Sequence, residues 1–440
     1  MAHSVRSPRA ARRDQAVRAA VTRSLLTEDR PLAALLDLRT VQEATLDLHA
    51  AFAAVAAPGQ CLLHTFAVKA ASLVPLLRLL DGFGIGCEVA SPGELALARA
   101  AGVAPARMVF DSPAKTPGEL RQALSLGIAL NADNPQELAR LDALVPAHPG
   151  HGPLGLRVNP QLGGGAIEAM STATATSKFG VALRDAGARD WVVRAFLDRP
   201  WLTALHCHVG SQGMPLEAMA AGVAATWELA EEINGRAGRR QVRTLDIGGG
   251  LPVNFASEEL VPSFADYARL LRDRVPGLFD GRYALVTEFG RALLAKAGLI
   301  LARVEYTKTA GGRPIAVTHA GAQIATRTVF HPEAWPLRVA AYDAAGRPKS
   351  GPLIGQDVAG PCCFAGDLVA VDRPLPRLVP GDLVALLDTG AYYATNHFAY
   401  NVLPRPGVYG FTPQENGPAF TTLRPAQTPE ELLAEHGGDR

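Results

Sequence analysis

From about residue 35 the chain alternates short apolar runs with longer Ala- and Leu-rich stretches. Apolar runs at 61–63, 86–89, 108–110, 128–131, 155–159, 202–209, 242–247 and 283–287 predict strands. The stretches at 70–80, 95–101, 117–126, 135–144 and 215–234 predict helices. Ser91-Pro92-Gly93-Glu94 carries the marks of a helix start: a capping hydroxyl, proline at the first helical position and an acid three residues on. A strand–helix unit of roughly 20–35 residues, repeated over about 250 residues, is the signature of a closed α/β (β/α)8 TIM barrel. An open doubly wound sheet is the alternative, and the number of units favours closure. Beyond about residue 300 short strands at 302–306, 314–318 and 383–387 are separated by Gly/Pro turns, with no convincing long helix. That rhythm predicts an antiparallel β domain. The expected organisation is a basic leader over 1–34, with a strand able to join the β domain, a barrel over 35–298, the β domain over 299–425 and a charged tail over 426–440. A Gly/Ser/Thr-rich loop over 163–177 interrupts the barrel pattern.

Composition narrows the classes. At 440 residues, two domains are the default. Lys plus Arg number 43 against 42 for Asp plus Glu, so there is no basic excess for nucleic acid to read. No run reaches the length of a membrane-spanning helix. Five cysteines, at 61, 87, 207, 362 and 363, are odd in number and lack metal-site spacing, which fits a reducing, cytoplasmic setting. The Arg- and Ala-rich start, without an apolar core, argues against secretion and reads as a frayed basic leader.

The candidate chemistry sits at strand ends. Lys69 closes the apolar run His64-Thr65-Phe66-Ala67-Val68 with no other charge nearby in sequence, at the mouth of a β-to-α connection. Desolvation disfavours an ammonium there, and a neutral amine can attack a carbonyl. Taken alone, it reads as a lysine snorkelling to water. His206 and His208 share one face of a strand end, yet no carboxylate or cysteine partner is evident, so no metal is expected. Asp246-Ile247-Gly248-Gly249-Gly250 is a glycine turn straight after a strand, where backbone amides can approach an anion. Glu288-Phe289-Gly290-Arg291 ends the last barrel strand with an acid and a base three apart, which alone reads as a rim salt bridge.

Taken together and in order, these pieces resemble the fold-type III pyridoxal-phosphate-dependent decarboxylases, most closely the diaminopimelate decarboxylase group. The likeness runs from about residue 60 to 406 through Phe66-Ala67-Val68-Lys69-Ala70, Glu88 with Ser91-Pro92-Gly93-Glu94, and Arg157-Val158-Asn159-Pro160. It continues in Ser177-Lys178-Phe179-Gly180, His206-Cys207-His208-Val209-Gly210-Ser211-Gln212, the glycine turn and Glu288-Phe289-Gly290-Arg291. Gly360-Pro361-Cys362-Cys363, Gly390-Ala391-Tyr392, Tyr400-Asn401 and Pro404-Arg405-Pro406 complete it. The resemblance implies pyridoxal 5'-phosphate carried covalently on Lys69, with Glu88 beside that lysine, His208 stacked on the ring and Glu288 on the ring nitrogen. It implies a phosphate held by Ser211, Gly249, Gly250, Gly290 and Arg291 with the hydroxyl of Tyr392, and Arg157 near the ring's phenolic oxygen. Cys363 is implied as the acid that returns a proton to the substrate carbon, on a loop reaching a neighbouring subunit. A homodimer with composite sites follows.

The sequence also departs from that pattern. Phe66 and Phe289 replace a tyrosine and a proline that do no chemistry. Phe364 stands where the group carries a glutamate that reads the substrate's far amino group. Arg327 is kept from the pair that grips a distal carboxylate, and His331 replaces its tyrosine partner; Arg291 and Tyr392 join these three as the expected substrate contacts. The expected activity is decarboxylation of an α-amino acid other than meso-diaminopimelate. The alternatives are an amino-acid racemase or epimerase of the same fold, against which the Gly-Pro-x-Cys segment argues, and a non-catalytic regulatory homologue.

Overall fold

The computed structural model describes residues 7–167 and 172–438, so the first six residues of the expected leader, part of the 163–177 loop and the end of the tail lie outside the described residues. The chain divides into two compact units, one comprising residues up to 43, 254–260 and 293 onward, the other 44–253 and 261–292.

The first unit opens with helix α1 (Pro8–Thr22) and strand β1 (Leu32–Asp37). A frayed leader is the expectation, and the structure differs. Ser7 caps α1 by accepting a hydrogen bond from the Ala10 amide at 3.1 Å, and Ala16, Val17 and Ala20 are buried in one cluster with Leu35, Leu299 and Leu301. The small residues form a stripe that packs closely, while Arg12 pairs with Asp37 at 2.8 Å and Arg13 with Glu258 at 2.7 Å. Ala16, Val17 and Ala20 recur at helical spacing, but such small side chains among arginines give a weak apolar signal, so composition alone suggests disorder.

Helix α2 (Leu38–Ala53) follows. The second unit then runs through β2 (Leu62–Ala67), α3 (Val74–Gly82), β3 (Gly86–Val89), α4 (Pro92–Ala100), β4 (Met108–Asp111), α5 (Pro117–Leu126), β5 (Ala129–Ala132) and α6 (Pro135–Leu144). It continues with β6 (Leu154–Asn159), the short β7 (Val181–Ala182), α7 (Ala188–Asp198), β8 (Leu202–His206), α8 (Leu216–Ala237), β9 (Thr244–Asp246), α9 (Phe264–Arg274) and β10 (Ala284–Phe289). Strands β2 to β6 and β8 to β10 are parallel, and the pairings of β5 with β6 and of β10 with β2 close them into a barrel. Strands covered on both faces read as unbroken apolar runs. Their carboxyl ends turn polar, with Glu88, Asp111, Asn131, Asn159, His206, Asp246 and Glu288 all buried there. Register sets these ends level: Asp111 faces Asn131, His206 lies between Arg157 and Asp246, and Glu288 faces Thr65.

After the short α10 (Arg291–Leu294) come β11 (Gly298–Ala310), β12 (Arg313–Thr318), α11 (Ala322–Phe330), β13 (Val339–Tyr342), β14 (Leu353–Ala359), β15 (Leu368–Pro376) and β16 (Leu383–Leu387). Strands β17 (Gly407–Thr412) and β18 (Ala419–Arg424) and helix α12 (Pro429–Glu435) end the chain's described elements. The sheet is mixed rather than wholly antiparallel, because β1 pairs in parallel with β17 and β12 with β14. Each parallel pair is joined through a long stretch of chain, which parallel pairing needs and a tight hairpin cannot supply. No helix among the described residues is long and apolar enough to cross a membrane.

Candidate active site

Lys69 stands on a single 3-10 turn, Val68–Ala70, directly beyond β2. Its sequence neighbours are apolar, but β3 brings Glu88 against it, and the two form an ion pair. The resemblance sets Glu88 beside this lysine, and adjacent parallel strands bring that about by placing at one level residues that sequence separates. The Lys69 side chain is 41% exposed while Glu88 is buried, so the amine is reachable and its partner is not. Burial drives the Glu88 carboxyl up, Lys69 draws it down and Glu288 pushes it up again, leaving it raised to about 7.

The histidine pair, too, gains the acid partner that the sequence does not reveal. His208 Nδ1 lies 3.1 Å from Glu288 Oε2, and His206 Nε2 is 3.6 Å from the same oxygen. Glu288 therefore faces histidines, where a rim salt bridge is its ordinary sequence reading. Burial lowers both histidines, His206 to about 4, so both are neutral near pH 7 and His208 can donate Nδ1–H to the carboxylate. Burial would also raise Glu288, but His206, Asp111 and His208 outweigh it and hold Glu288 well below the usual carboxylate range. Its second oxygen, Oε1, is buried with no hydrogen-bond partner among the described residues.

Beside this pair runs the glycine turn. A Cβ on Gly249 would lie 2.2 Å from the Glu288 carbonyl oxygen, and Gly250, at φ +90°, would meet the Gly210 carbonyl at 2.7 Å. Only glycine lets the backbone pass so close. Ser211 follows β8, and Gly290 and Arg291 follow β10, both buried. Arg157 on β6 lies over the Phe179 ring at 4.4 Å. All these residues belong to the barrel unit.

The remaining expected residues belong to the other unit. Cys363 is exposed and unoxidised, and its amide donates to Asn401 Oδ1 at 2.8 Å. Its neighbour Cys362 is buried, which pushes that thiol up to about 11, so Cys363 is the accessible one of the two. Phe364 stacks on Phe330 with centroids 5.6 Å apart and meets Tyr400 edge-on at 5.8 Å. Phe398 closes the square, 5.5 Å from both Phe330 and Tyr400. The Arg327 guanidinium is sandwiched between Tyr392 at 4.9 Å and Trp335 at 5.0 Å. Tyr392 holds φ +66°, a left-handed conformation that is uncommon for a bulky residue and concentrates at functional sites. His331 ends α11 and is exposed. Asp111 in the barrel unit, and Phe330, Trp335 and Phe398 in the other unit, escaped sequence reasoning, because no local motif marks them.

Residues 40–295 match the family described as pyridoxal-dependent decarboxylase, pyridoxal binding domain. This chain belongs to the pyridoxal-dependent decarboxylases. It is 35% identical over 341 residues to the diaminopimelate decarboxylase of Pseudomonas aeruginosa, covering 77% of this chain and 79% of that one. Among solved structures, diaminopimelate decarboxylase from Helicobacter pylori complexed with L-lysine matches at TM-score 0.79 and 24% identity, covering 92% of this chain and 96% of that one. The lysine/ornithine decarboxylase complexed with cadaverine from Vibrio vulnificus matches at TM-score 0.70 and 22% identity, over 86% and 94%. Those two likenesses show the fold.

The residues present fit pyridoxal 5'-phosphate, the cofactor of this family. A reachable lysine amine, a buried carboxylate oxygen without a donor and a turn open enough for an anion are what its aldehyde, ring nitrogen and phosphate require. The protein is a pyridoxal-phosphate-dependent amino-acid decarboxylase, and the racemase and regulatory readings give way to it.

Proposed function

We propose that this decarboxylase acts on an α-amino acid whose far end is apolar or anionic rather than an ammonium. The observation that carries the reading is Phe364, adjoining Cys363 and packed with Phe330, Phe398 and Tyr400. Aromatic edges and faces at that distance from one another make an apolar surface whose four members offer no carboxylate to a cation. An ammonium brought there would find ring faces but no ionised partner among these four side chains. Arg327, held between two rings, is the cation available to a distal carboxylate, with His331 nearby in sequence.

Lys69 would carry the cofactor, His208 would lie against its ring, and Glu288 would accept a hydrogen bond from the ring nitrogen at Oε1. Ser211, Gly249, Gly250, Gly290 and Arg291 would hold the phosphate, with the hydroxyl of Tyr392, and Arg157 would stand by the phenolic oxygen. When bound, pyridoxal phosphate supplies a sink for the electron pair left on the α-carbon as CO2 departs. Glu88, poised near neutrality, can take a proton from Lys69 Nζ and leave the amine nucleophilic. Cys363 Sγ, accessible where Cys362 is not, can deliver the proton that completes the amine product. In the proposed homodimer that thiol serves the partner's site, so each site draws on two copies.

The test is CO2 release by the purified, cofactor-loaded enzyme against a panel of α-amino acids with apolar, acidic and basic ends. The expected result is turnover of apolar or acidic members and poor use of meso-diaminopimelate; efficient use of meso-diaminopimelate would refute the reading of Phe364.

A further inference from the structure

Asp111, His206, Asp246 and Glu288 stand at the carboxyl ends of four barrel strands, and one side-chain nitrogen or oxygen of each lies within 4.8 Å of the others. Each is at most 7% exposed. Among the described residues neither Asp111 oxygen, neither His206 ring nitrogen nor Glu288 Oε1 has a hydrogen-bond partner. His206 Nδ1 approaches Asp111 Oδ1 at 3.6 Å. Asp246 is better served, accepting from the Gly248 amide at 3.0 Å and from Asn131 Nδ2 at 3.5 Å. The other titratable groups bearing on the cluster are Glu88 and Lys69, which pair with each other, His208, which faces Glu288, and Arg157, which lies over Phe179. None of these cations pairs with Asp111. Three ionised carboxylates cannot persist this close together away from water, so protons must neutralise part of the cluster.

We propose that Asp111 carries a proton at neutral pH and is a positioning residue, donating it into the cluster so that Glu288 remains the ionised carboxylate facing the cofactor's ring nitrogen. The role rests on the reading of Glu288 as the ring-nitrogen partner; the protonation of Asp111 does not. The titration tendencies agree. Burial, then Glu288, raises Asp111 and Asp246 well above the ordinary range, whereas Glu288 is held well below it. His206, lowered by burial to about 4, is neutral and cannot supply the missing positive charge.

An aspartic acid and an asparagine both present a donor here, and an apolar side chain does not. The first measurement is infrared spectroscopy of the protein with and without cofactor. A protonated-carboxyl C=O band that shifts in D2O and is absent from Asp111→Asn is expected; its absence from the wild-type protein overturns the proposal. In holoenzyme, Asp111→Leu is expected to lower kcat by about tenfold with KM unchanged, and to move the pH midpoint of the bound cofactor's absorption by about one unit, while Asp111→Asn restores both. Equal defects in the two variants, no defect in either, or a stoichiometric divalent cation in wild type that both variants lose would each overturn it. If Asp111→Leu does not fold, the infrared comparison of wild type with Asp111→Asn decides. An unchanged spectrum and kcat in Glu288→Gln would overturn the ring-nitrogen reading and with it the role given to Asp111, and the infrared band would still report the proton.

Discussion

Phe364, on the proposed function, would set specificity, and Glu88 would set pH behaviour. Phe364 replaces a carboxylate by a ring within a group of four aromatics. Introducing the charge with Phe364→Glu should raise kcat/KM for meso-diaminopimelate by about 10- to 100-fold, because a hydrogen bond to an ionised group contributes about 1.5–3 kcal/mol. The same change should depress turnover of apolar substrates, and a side-by-side kinetic panel would expose either failure. Glu88 acts through protonation. With its carboxyl raised to about 7, it is protonated below that pH and ionised above it, so kcat/KM should rise with pH through about 7 as it becomes able to accept from Lys69. Stability carries the opposite sign: a raised carboxyl favours the folded state below its ordinary value of 4.5, and that contribution fades as pH climbs through about 7. Glu88→Gln should flatten both profiles, seen by stopped assays and by urea unfolding across pH.

At the scale of elements, helix α1 is tied into its unit by ion pairs. Arg13 and Arg338 both reach Glu258, at 2.7 Å and 2.6 Å, and Arg338 also holds Asp388 at 2.8 Å. Burial works to raise Glu258, but hydrogen bonds from Arg338 and Arg13 outweigh it and lower the carboxyl to about 2. A lowered carboxyl stabilises the folded state above its ordinary value of 4.5, and that stability is lost as pH falls toward about 2. Part of Glu258 faces water, which screens the effect to about 1 kcal/mol. Glu258→Gln should lose that increment at pH 7 and show a shallower acid limb, with faster amide hydrogen exchange in α1; unchanged exchange would mean that the apolar stripe of Ala16, Val17 and Ala20 alone anchors the helix.

For the whole molecule, the proposed dimer makes a prediction that neither unit makes alone. Lys69→Ala and Cys363→Ala should each be inactive, yet mixing them under subunit exchange should recover about a quarter of wild-type activity, since half the dimers then hold one intact site. No recovery, with exchange confirmed by mass spectrometry, would place both groups in one chain's site. The barrel could be read from the chain because strands covered on both faces are unbroken apolar runs and the helices between them carry caps such as Ser91, which accepts from the Glu94 amide at 3.1 Å. Parallel pairing in the other sheet could not, since nothing local in residues 32–37 records that they will lie beside residues 407–411. The motif residues Lys69, His208, Glu288 and Cys363 were recognisable by their order along the chain. The acid beside the two histidines and the aromatic square were not, because each joins residues from separate elements. The amino-acid order by itself determined the alternation of strands and helices and which chemical groups end those strands, since both follow from local period and residue type. Only the closed barrel decided which of those groups share a buried space, and hence which carboxyls are raised and which is kept ionised, because burial and mutual repulsion arise when distant strands are set side by side.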